Sequence, residues 1–186
     1  MRKVIAVMNM TIDGYCNHEV GVITDELHEY YNELMKNIGT LVYGRKTYQL
    51  MEDAFPPLVE NPGDDKIINE FAVLIDNIPK LVFSKTLKAV NWKNTTLVHG
   101  GIEEEILKLK QQSGKDIAVG SPSLIAQLTQ LGLIDEYRLC IHPIISGSGL
   151  VLFKNIDDKI DLKLIKTQTF NSGVLVVWYQ RLKNGK

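Results

Sequence analysis

Three short polar turns, each entered from an apolar run, carry the residue types that hold a phosphate. Leu41-Val42-Tyr43 stops at Gly44 and is followed at once by Arg45, Lys46 and Thr47. Lys80-Leu81-Val82-Phe83 runs into Ser84-Lys85-Thr86, and Ile117-Ala118-Val119 runs into Gly120-Ser121-Pro122-Ser123. A strand that feeds a helix through such a turn leaves the first-turn N–H groups and the positive end of the helix dipole open to an anion. In an open α/β sheet these turns line the crevice where nucleotides bind. Each has a purely structural reading as well: Arg45 and Lys46 as solvated residues, Ser84 and Thr86 as hydroxyls that satisfy a turn, Ser121 as a helix cap. Their joint placement after three successive strands favours a nucleotide site.

The rest of the composition narrows the function by exclusion. With 186 residues, 45% of them hydrophobic, and a formal net charge of -1, the chain fits one globular domain. It has no basic excess to attract nucleic acid or an anionic membrane surface, so any phosphate binding is local. Cys16 and Cys140 lie far apart and form no CxxC or zinc spacing, and His18, His28, His99 and His142 show no ligand spacing. The expectation is a reduced cytoplasmic protein without a metal. Val4 to Met8 is too short for a signal sequence, and no apolar run reaches membrane-spanning length. Trp92, Trp178 and Tyr179 read as core or interface aromatics rather than a base-stacking platform, given the missing basic stripe.

The turns must be positioned by a sheet. Val4 to Met8 is a near-continuous apolar run, as expected of a strand covered on both faces. After Thr24, a plausible N-cap, Leu27, Tyr30, Tyr31, Leu34, Met35 and Ile38 recur at helical spacing, with Gly39 as the stop. The spacing then predicts a strand over Thr40 to Tyr43, a short helix around Thr47 to Glu52, and a long loop marked by Phe55-Pro56-Pro57 and Asn61-Pro62-Gly63-Asp64-Asp65. Further strands follow at Leu81 to Phe83, Thr96 to His99 and Asp116 to Val119, with a helix from about Ile102 to Gln112. Ser121, Pro122 and Gly132 delimit a helix with Leu124, Ile125, Leu128 and Leu131 on one side. The last third is mostly strand: Glu136 to Ile145, Leu150 to Phe153, Leu162 to Phe170 and Val174 to Leu182, the final pair joined by Asn171-Ser172-Gly173. Alternating βα units that end in antiparallel edge strands imply a mixed, mostly parallel sheet.

These elements, in this order, resemble the dihydrofolate reductase fold, and more closely the reductase domain of bifunctional riboflavin-biosynthesis (RibD) proteins and its stand-alone bacterial relatives. The pieces that carry the resemblance span nearly the whole chain: Met10-Thr11-Ile12-Asp13-Gly14-Tyr15, Gly44-Arg45-Lys46-Thr47-Tyr48, Val82-Phe83-Ser84-Lys85-Thr86-Leu87, Gly132-Leu133-Ile134-Asp135-Glu136, and Pro143-Ile144-Ile145-Ser146-Gly147-Ser148-Gly149 leading to Leu152-Phe153. The resemblance implies a single three-layer α-β-α domain over residues 1–186, with a mixed, mostly parallel sheet and antiparallel C-terminal edge strands. It also implies NADPH as hydride donor. Gly44, Arg45, Lys46 and Thr47 match the turn that holds the cofactor phosphates, and Ser84, Lys85 and Thr86 match the turn near the adenosine 2'-phosphate. A 2'-phosphate calls for concentrated positive charge and hydroxyl donors, which Arg45, Lys46 and Lys85 with Ser84 and Thr86 supply. Gly120-Ser121 matches a position that usually carries two glycines against the pyrophosphate; here the second is serine, which can itself donate to phosphate.

Hydride transfer asks the protein to hold the nicotinamide against the acceptor, exclude water and supply a proton. In the riboflavin reductases the loop matched by Asp13-Gly14 reaches the substrate, which makes Asp13 the first candidate acid, although Asp-Gly is equally a turn-forming pair. Dihydrofolate reductases use an acidic residue on the first long helix; the matching place falls near His28, which borders the core and can donate a proton near neutral pH. Riboflavin-pathway reductases carry an acidic residue before the glycine pair, where this chain has Val119, and no HxE with PCxxC deaminase signature is present. The loop from Pro143 to Gly149 either closes on a substrate through Ser146 and Gly147 or simply connects two strands. The resulting expectation is an NADPH-dependent reductase of a small heterocyclic or ribosylamino compound, working as a homodimer through the apolar run Val174-Leu175-Val176-Val177-Trp178. The alternative is a non-catalytic nucleotide- or flavin-binding protein on the same fold.

Overall fold

Apolar strands alternate their side chains between two helical layers, and that alternation sets where the site can lie. The computed structural model describes residues 1–17, 19, 21 and 24–182. Strands β1 (Val4–Thr11), β2 (Ile38–Gly44), β3 (Lys80–Phe83), β4 (Thr95–Val98), β5 (Asp116–Val119), β6 (Glu136–His142), β7 (Leu162–Thr169) and β8 (Leu175–Arg181) form one sheet in the order β4-β3-β2-β5-β1-β6-β8-β7. The strands from β4 to β6 run parallel, β8 is antiparallel to β6, and β7 is antiparallel to β8. The helices are α1 (Asp25–Met35), α2 (Arg45–Ala54), α3 (Pro56–Glu60), α4 (Lys66–Asn77), α5 (Ile102–Gln111) and α6 (Pro122–Gln130). On one face Ile5, Leu41, Tyr43 and Ala118 pack with Leu27, Tyr31 and Met35 of α1, Tyr48 of α2 and Ile75 of α4. On the other, Val4, Ala6, Val42, Ile117 and Val119 pack with Ile102 and Ile106 of α5 and Leu124, Ile125 and Leu128 of α6. The architecture is therefore the mixed three-layer one expected, with its antiparallel strands at the C-terminal edge.

Several boundaries differ from the sequence reading, each for a tertiary reason. Ile38 and Gly39 belong to β2, not to the end of α1, because Ile38 pairs with Asp116 of β5; a Cβ on Gly39 would stand 3.1 Å from the Lys115 carbonyl oxygen. The Pro- and Gly-marked segment after Phe55 is not one long loop. It holds α3 and leads into α4, whose first N–H groups, those of Ile67 and Ile68, donate to the Asp65 carboxylate at 2.9 and 3.1 Å. The expected strand over Leu150 to Phe153 is reduced to a single bridge between Val151 and Tyr15, and β6 ends at His142 rather than Ile145. Leu131 turns outward at the C-cap of α6. Val174, Val176, Val177 and Trp178 are buried within the chain, so the run expected to build a dimer is core; the exposed apolar residues of this edge are Leu164 and Ile165 of β7.

Candidate functional site

Strands β1 and β5 are neighbours, yet the chain leaves β1 through α1 on one face and β5 through α6 on the other. That reversal opens a crevice above their carboxyl ends. A cleft of about 1340 Å³ lies there. Its floor is made by Val7 and Asn9 of β1, Tyr43 and Gly44 of β2, and Ala118 and Gly120 at the end of β5. His28, Tyr31 and Met35 of α1, with Met51, Phe55 and Phe71, form one wall, and Ser121, Ser123, Gln127, Leu152 and Lys154 line the other.

The starts of α2 and α6 meet at this cleft. The Gly44 N–H donates to Ser121 Oγ at 2.8 Å, so the hydroxyl expected to cap its own helix instead joins the two turns; α6 has no side-chain cap. Neither α2 nor α6 carries an acidic residue in its first turn or a side-chain cap bond, whereas α1 begins with Asp25 and Glu26, α5 with Glu103, Glu104 and Glu105, and α4 is capped by Asp65. Two helix N-termini thus open on the cleft with their positive ends uncompensated, flanked by the exposed Arg45 and Lys46. Thr47 lines the same edge. Gly120 follows β5 where a Cβ would press to 3.2 Å from the Tyr43 ring, so a side chain there would crowd the floor.

The third turn stands beside these two without lining the cleft. Phe83 pairs in register with Gly44, which places Ser84, Lys85 and Thr86 next to the start of α2. Ser84 Oγ accepts the N–H groups of Thr86 and Leu87 at 3.2 and 2.9 Å, its turn-satisfying role, while Lys85 and Thr86 are exposed.

Asp13, Ser146 and Gly147 are brought together, but with one another. The exposed Asp13 carboxylate accepts the N–H groups of Ser146 at 3.1 Å and Gly147 at 2.8 Å and does not line the cleft. The Thr11 hydroxyl first, then the Gly147 N–H, hold its carboxyl below the ordinary range. The same two loops are joined by Ile12 N–H to Ile144 O, Cys16 N–H to Leu150 O, and Leu150 N–H to Asn17 Oδ1. Gly149, at φ +138°, sits where a Cβ would come within 2.7 Å of the Asn17 side chain. The loops after β1 and β6 are one unit at the rim.

Of the two candidate acids, His28 is the one on the cleft. It is half-buried on α1, its ring 6.4 Å from that of Phe71, and burial lowers its pKa against the opposing pull of Asp65 and Asp25. Below it lies a polar group that the sequence reading did not single out. Tyr31 donates its hydroxyl to Asn9 Oδ1 at 2.8 Å and lies 3.0 Å from Cys140 Sγ; the His142 ring Nε2 faces the same Asn9 oxygen at 3.0 Å. Its signal was an asparagine directly after an apolar strand run, where a hydrophobic residue would extend the strand. Burial pushes the Cys16 and Cys140 thiols up to about 11, so neither is a nucleophile at neutral pH. His99 faces the Ser84 carbonyl at 3.0 Å, and His18 lies outside the described residues. Among the described residues no helix is long and apolar enough to cross a membrane.

Comparison with known proteins agrees with this fold. The chain matches the RibD C-terminal domain over residues 2–176. It is 35% identical over 182 residues to the Bacillus subtilis protein YyaP, covering 96% of this chain and 94% of that one. Among solved structures, a pyrimidine reductase-like protein from Corynebacterium diphtheriae superposes with a TM-score of 0.67 at 17% identity over 98% of this chain and 93% of that one. Dihydrofolate reductase from Enterococcus faecalis, solved with NADP(H), gives 0.66 at 16% identity over 97% of each chain.

Proposed function

The chain belongs to the RibD C-terminal domain family, a family of reductase-like domains, and from that membership and the cleft we propose an NADPH-dependent reductase of a small heterocyclic or ribosylamino compound. The observation that carries the proposal is the convergence of two uncompensated helix N-termini, with Arg45 and Lys46, on a cleft at the switch point of the sheet. Gly44, Lys46, Thr47, Gly120 and Ser121 hold the pyrophosphate side of the cofactor, and Arg45 at the start of α2, with Ser84, Lys85 and Thr86 of the neighbouring turn, receives the 2'-phosphate. The enzyme studied in Enterococcus faecalis binds NADP(H) on the same fold, which supports this assignment. NADPH, when bound, supplies the hydride. The protein positions the acceptor over the strand ends, keeps water from the apolar wall formed by Met35, Phe55 and Phe71, and delivers a proton from His28. Asp13 serves this site at one remove, by fixing the rim loop through Ser146 and Gly147.

A histidine whose native pKa is lowered by burial is protonated only below its ordinary value of 6.5. With His28 as the acid, turnover is expected to fall as the pH rises through a value below 6.5, and His28→Gln is expected to remove that limb from the pH–rate profile. An unchanged limb in the variant moves the proton to another donor.

Calorimetric titration with NADPH, NADH and FMN in parallel tests the function itself. Micromolar NADPH with much weaker NADH supports the reductase, and preference for FMN supports a flavin-binding protein on this fold; no nucleotide binding removes the enzyme. We place the protein in the cytoplasm, in keeping with two free buried thiols. We also place a homodimer contact along β7, where Leu164 and Ile165 are exposed on an edge strand; a monomer in sedimentation equilibrium removes it.

A further inference from the structure

The wall of the cleft between the sheet and α1 differs in character from the phosphate side. Along it the described lining residues are Val7, Asn9, His28, Tyr31, Met35 and Phe71. Among the described residues the lysines and arginines that line the cleft are Arg45, Lys46 and Lys154, and none stands on this wall. Among the described residues its one basic side chain is His28, half-buried and aromatic-packed, and the carboxylates at the cleft are Glu19 and Asp53. A phosphate or carboxylate tail would therefore meet no counter-charge there.

Within this apolar wall Asn9 is the polar group whose direction is set. Its Oδ1 is faced by the Tyr31 hydroxyl at 2.8 Å and by the His142 Nε2 at 3.0 Å, both able to donate. His142 is 1% exposed, and Tyr31 is also buried, so the two donors are held by packing. An amide oxygen that accepts twice fixes the amide plane and turns its NH2 away from those donors. The amide nitrogen has no partner among the described residues, and Asn9 is a partly exposed residue of the cleft floor. We infer that Asn9 is the substrate-orienting residue of this site, presenting its amide N–H groups to a ring carbonyl or ring nitrogen, and that the acceptor is an uncharged planar heteroaromatic compound without a phosphate tail. The inference rests on the reading of the cleft as a reductase site and chooses, within it, against ribosyl-phosphate substrates. Tyr31 and His142 act through Asn9 as positioning residues.

The test separates the two readings. Calorimetry with NADP⁺ alone examines the reductase site, and ring probes added to the NADP⁺-saturated protein examine this inference. Lumazine and riboflavin are uncharged rings with carbonyl acceptors; FMN is the riboflavin ring with a phosphate. Lumazine or riboflavin is expected to bind, with FMN about ten-fold or more weaker than riboflavin. Asn9→Asp keeps an acceptor for Tyr31 and His142 but replaces the donor group by a second carboxylate oxygen. It is expected to lose about 10- to 100-fold in affinity for the bound ring while NADP⁺ affinity and melting temperature are retained. His142→Gln, which keeps an N–H donor, is expected to hold ring affinity closer to native than His142→Leu. Binding of neither lumazine nor riboflavin, FMN binding as tightly as riboflavin, or native ring affinity in Asn9→Asp would each overturn the inference, whatever the NADP⁺ result.

Discussion

Arg45→Ala is expected to weaken NADPH binding by about 10- to 100-fold and to leave NADH nearly unchanged, as read by parallel calorimetric titrations. The two cofactors share a pyrophosphate and differ by one 2'-phosphate, so the ratio of losses isolates that group. Arg45 is the first residue of α2, is exposed, and among the described residues makes only a long contact of 3.5 Å from Nη1 to Gln49 Oε1, so its guanidinium is available to a ligand without disrupting the fold. A planar guanidinium engages a phosphate through two parallel N–H bonds, each charge-assisted, which is why the expected loss is this large. Equal losses for both cofactors would put Arg45 on the pyrophosphate and leave the 2'-phosphate to Lys85 in the adjacent turn.

The second large effect is on stability. Asp76→Ala is expected to cost about 3–5 kcal/mol and to lower the melting temperature by roughly 10 °C. Asp76 ends α4 in a buried polar cluster beneath β3 and β4. Its Oδ1 accepts Trp92 Nε1–H at 2.8 Å, and its other oxygen pairs with Lys93. The buried Lys80 Nζ donates to the Asp76 and Ile78 carbonyls at 3.0 Å and lies 4.2 Å above the Trp92 ring. Alanine leaves an indole N–H without its acceptor and removes a carboxylate that favours the charged form of the buried Lys80. Burial pushes the Asp76 carboxyl up, but the bonds from Lys93 and Trp92 outweigh it and hold the group below its ordinary 3.8. The native state therefore binds fewer protons than the unfolded chain. This stabilisation is complete above the ordinary value and is lost as the pH falls through the lower native one, so the variant should show a flatter acid limb in its stability profile.

What could be read from the sequence was what is local. Gly44 with Arg45, and Gly120 with Pro122, sit at strand-to-helix junctions whose chemistry is written in consecutive residues, so both turns were legible. Helix α4 was not, because the Asn61-to-Asp65 run dominates its neighbourhood, although Asp65 as cap and Ile67, Ile68, Phe71 and Ile75 at helical spacing were its signal. Asp13 and Ser121 were legible as polar residues but not by role. Their partners lie 133 and 77 residues away, and nothing in a local window announces a bond to Ser146 or to Gly44. Asn9 was hidden for the same reason, since its meaning depends on Tyr31 and His142.

The order of strands in the sheet also sets the timing of assembly during synthesis. β1 is an inner strand of the sheet and is made well before both of its neighbours, its ladders joining Val4 to Ile117 and Ile5 to Glu136. At a synthesis rate of roughly 5–20 residues per second, β1 therefore waits on the order of ten seconds for its neighbours. Throughout that wait a strongly apolar strand is exposed to chaperones and to other nascent chains. The rim that ties Asp13 to Gly147 closes later still, so the cleft is framed only after β6 and the loop that follows it have been made.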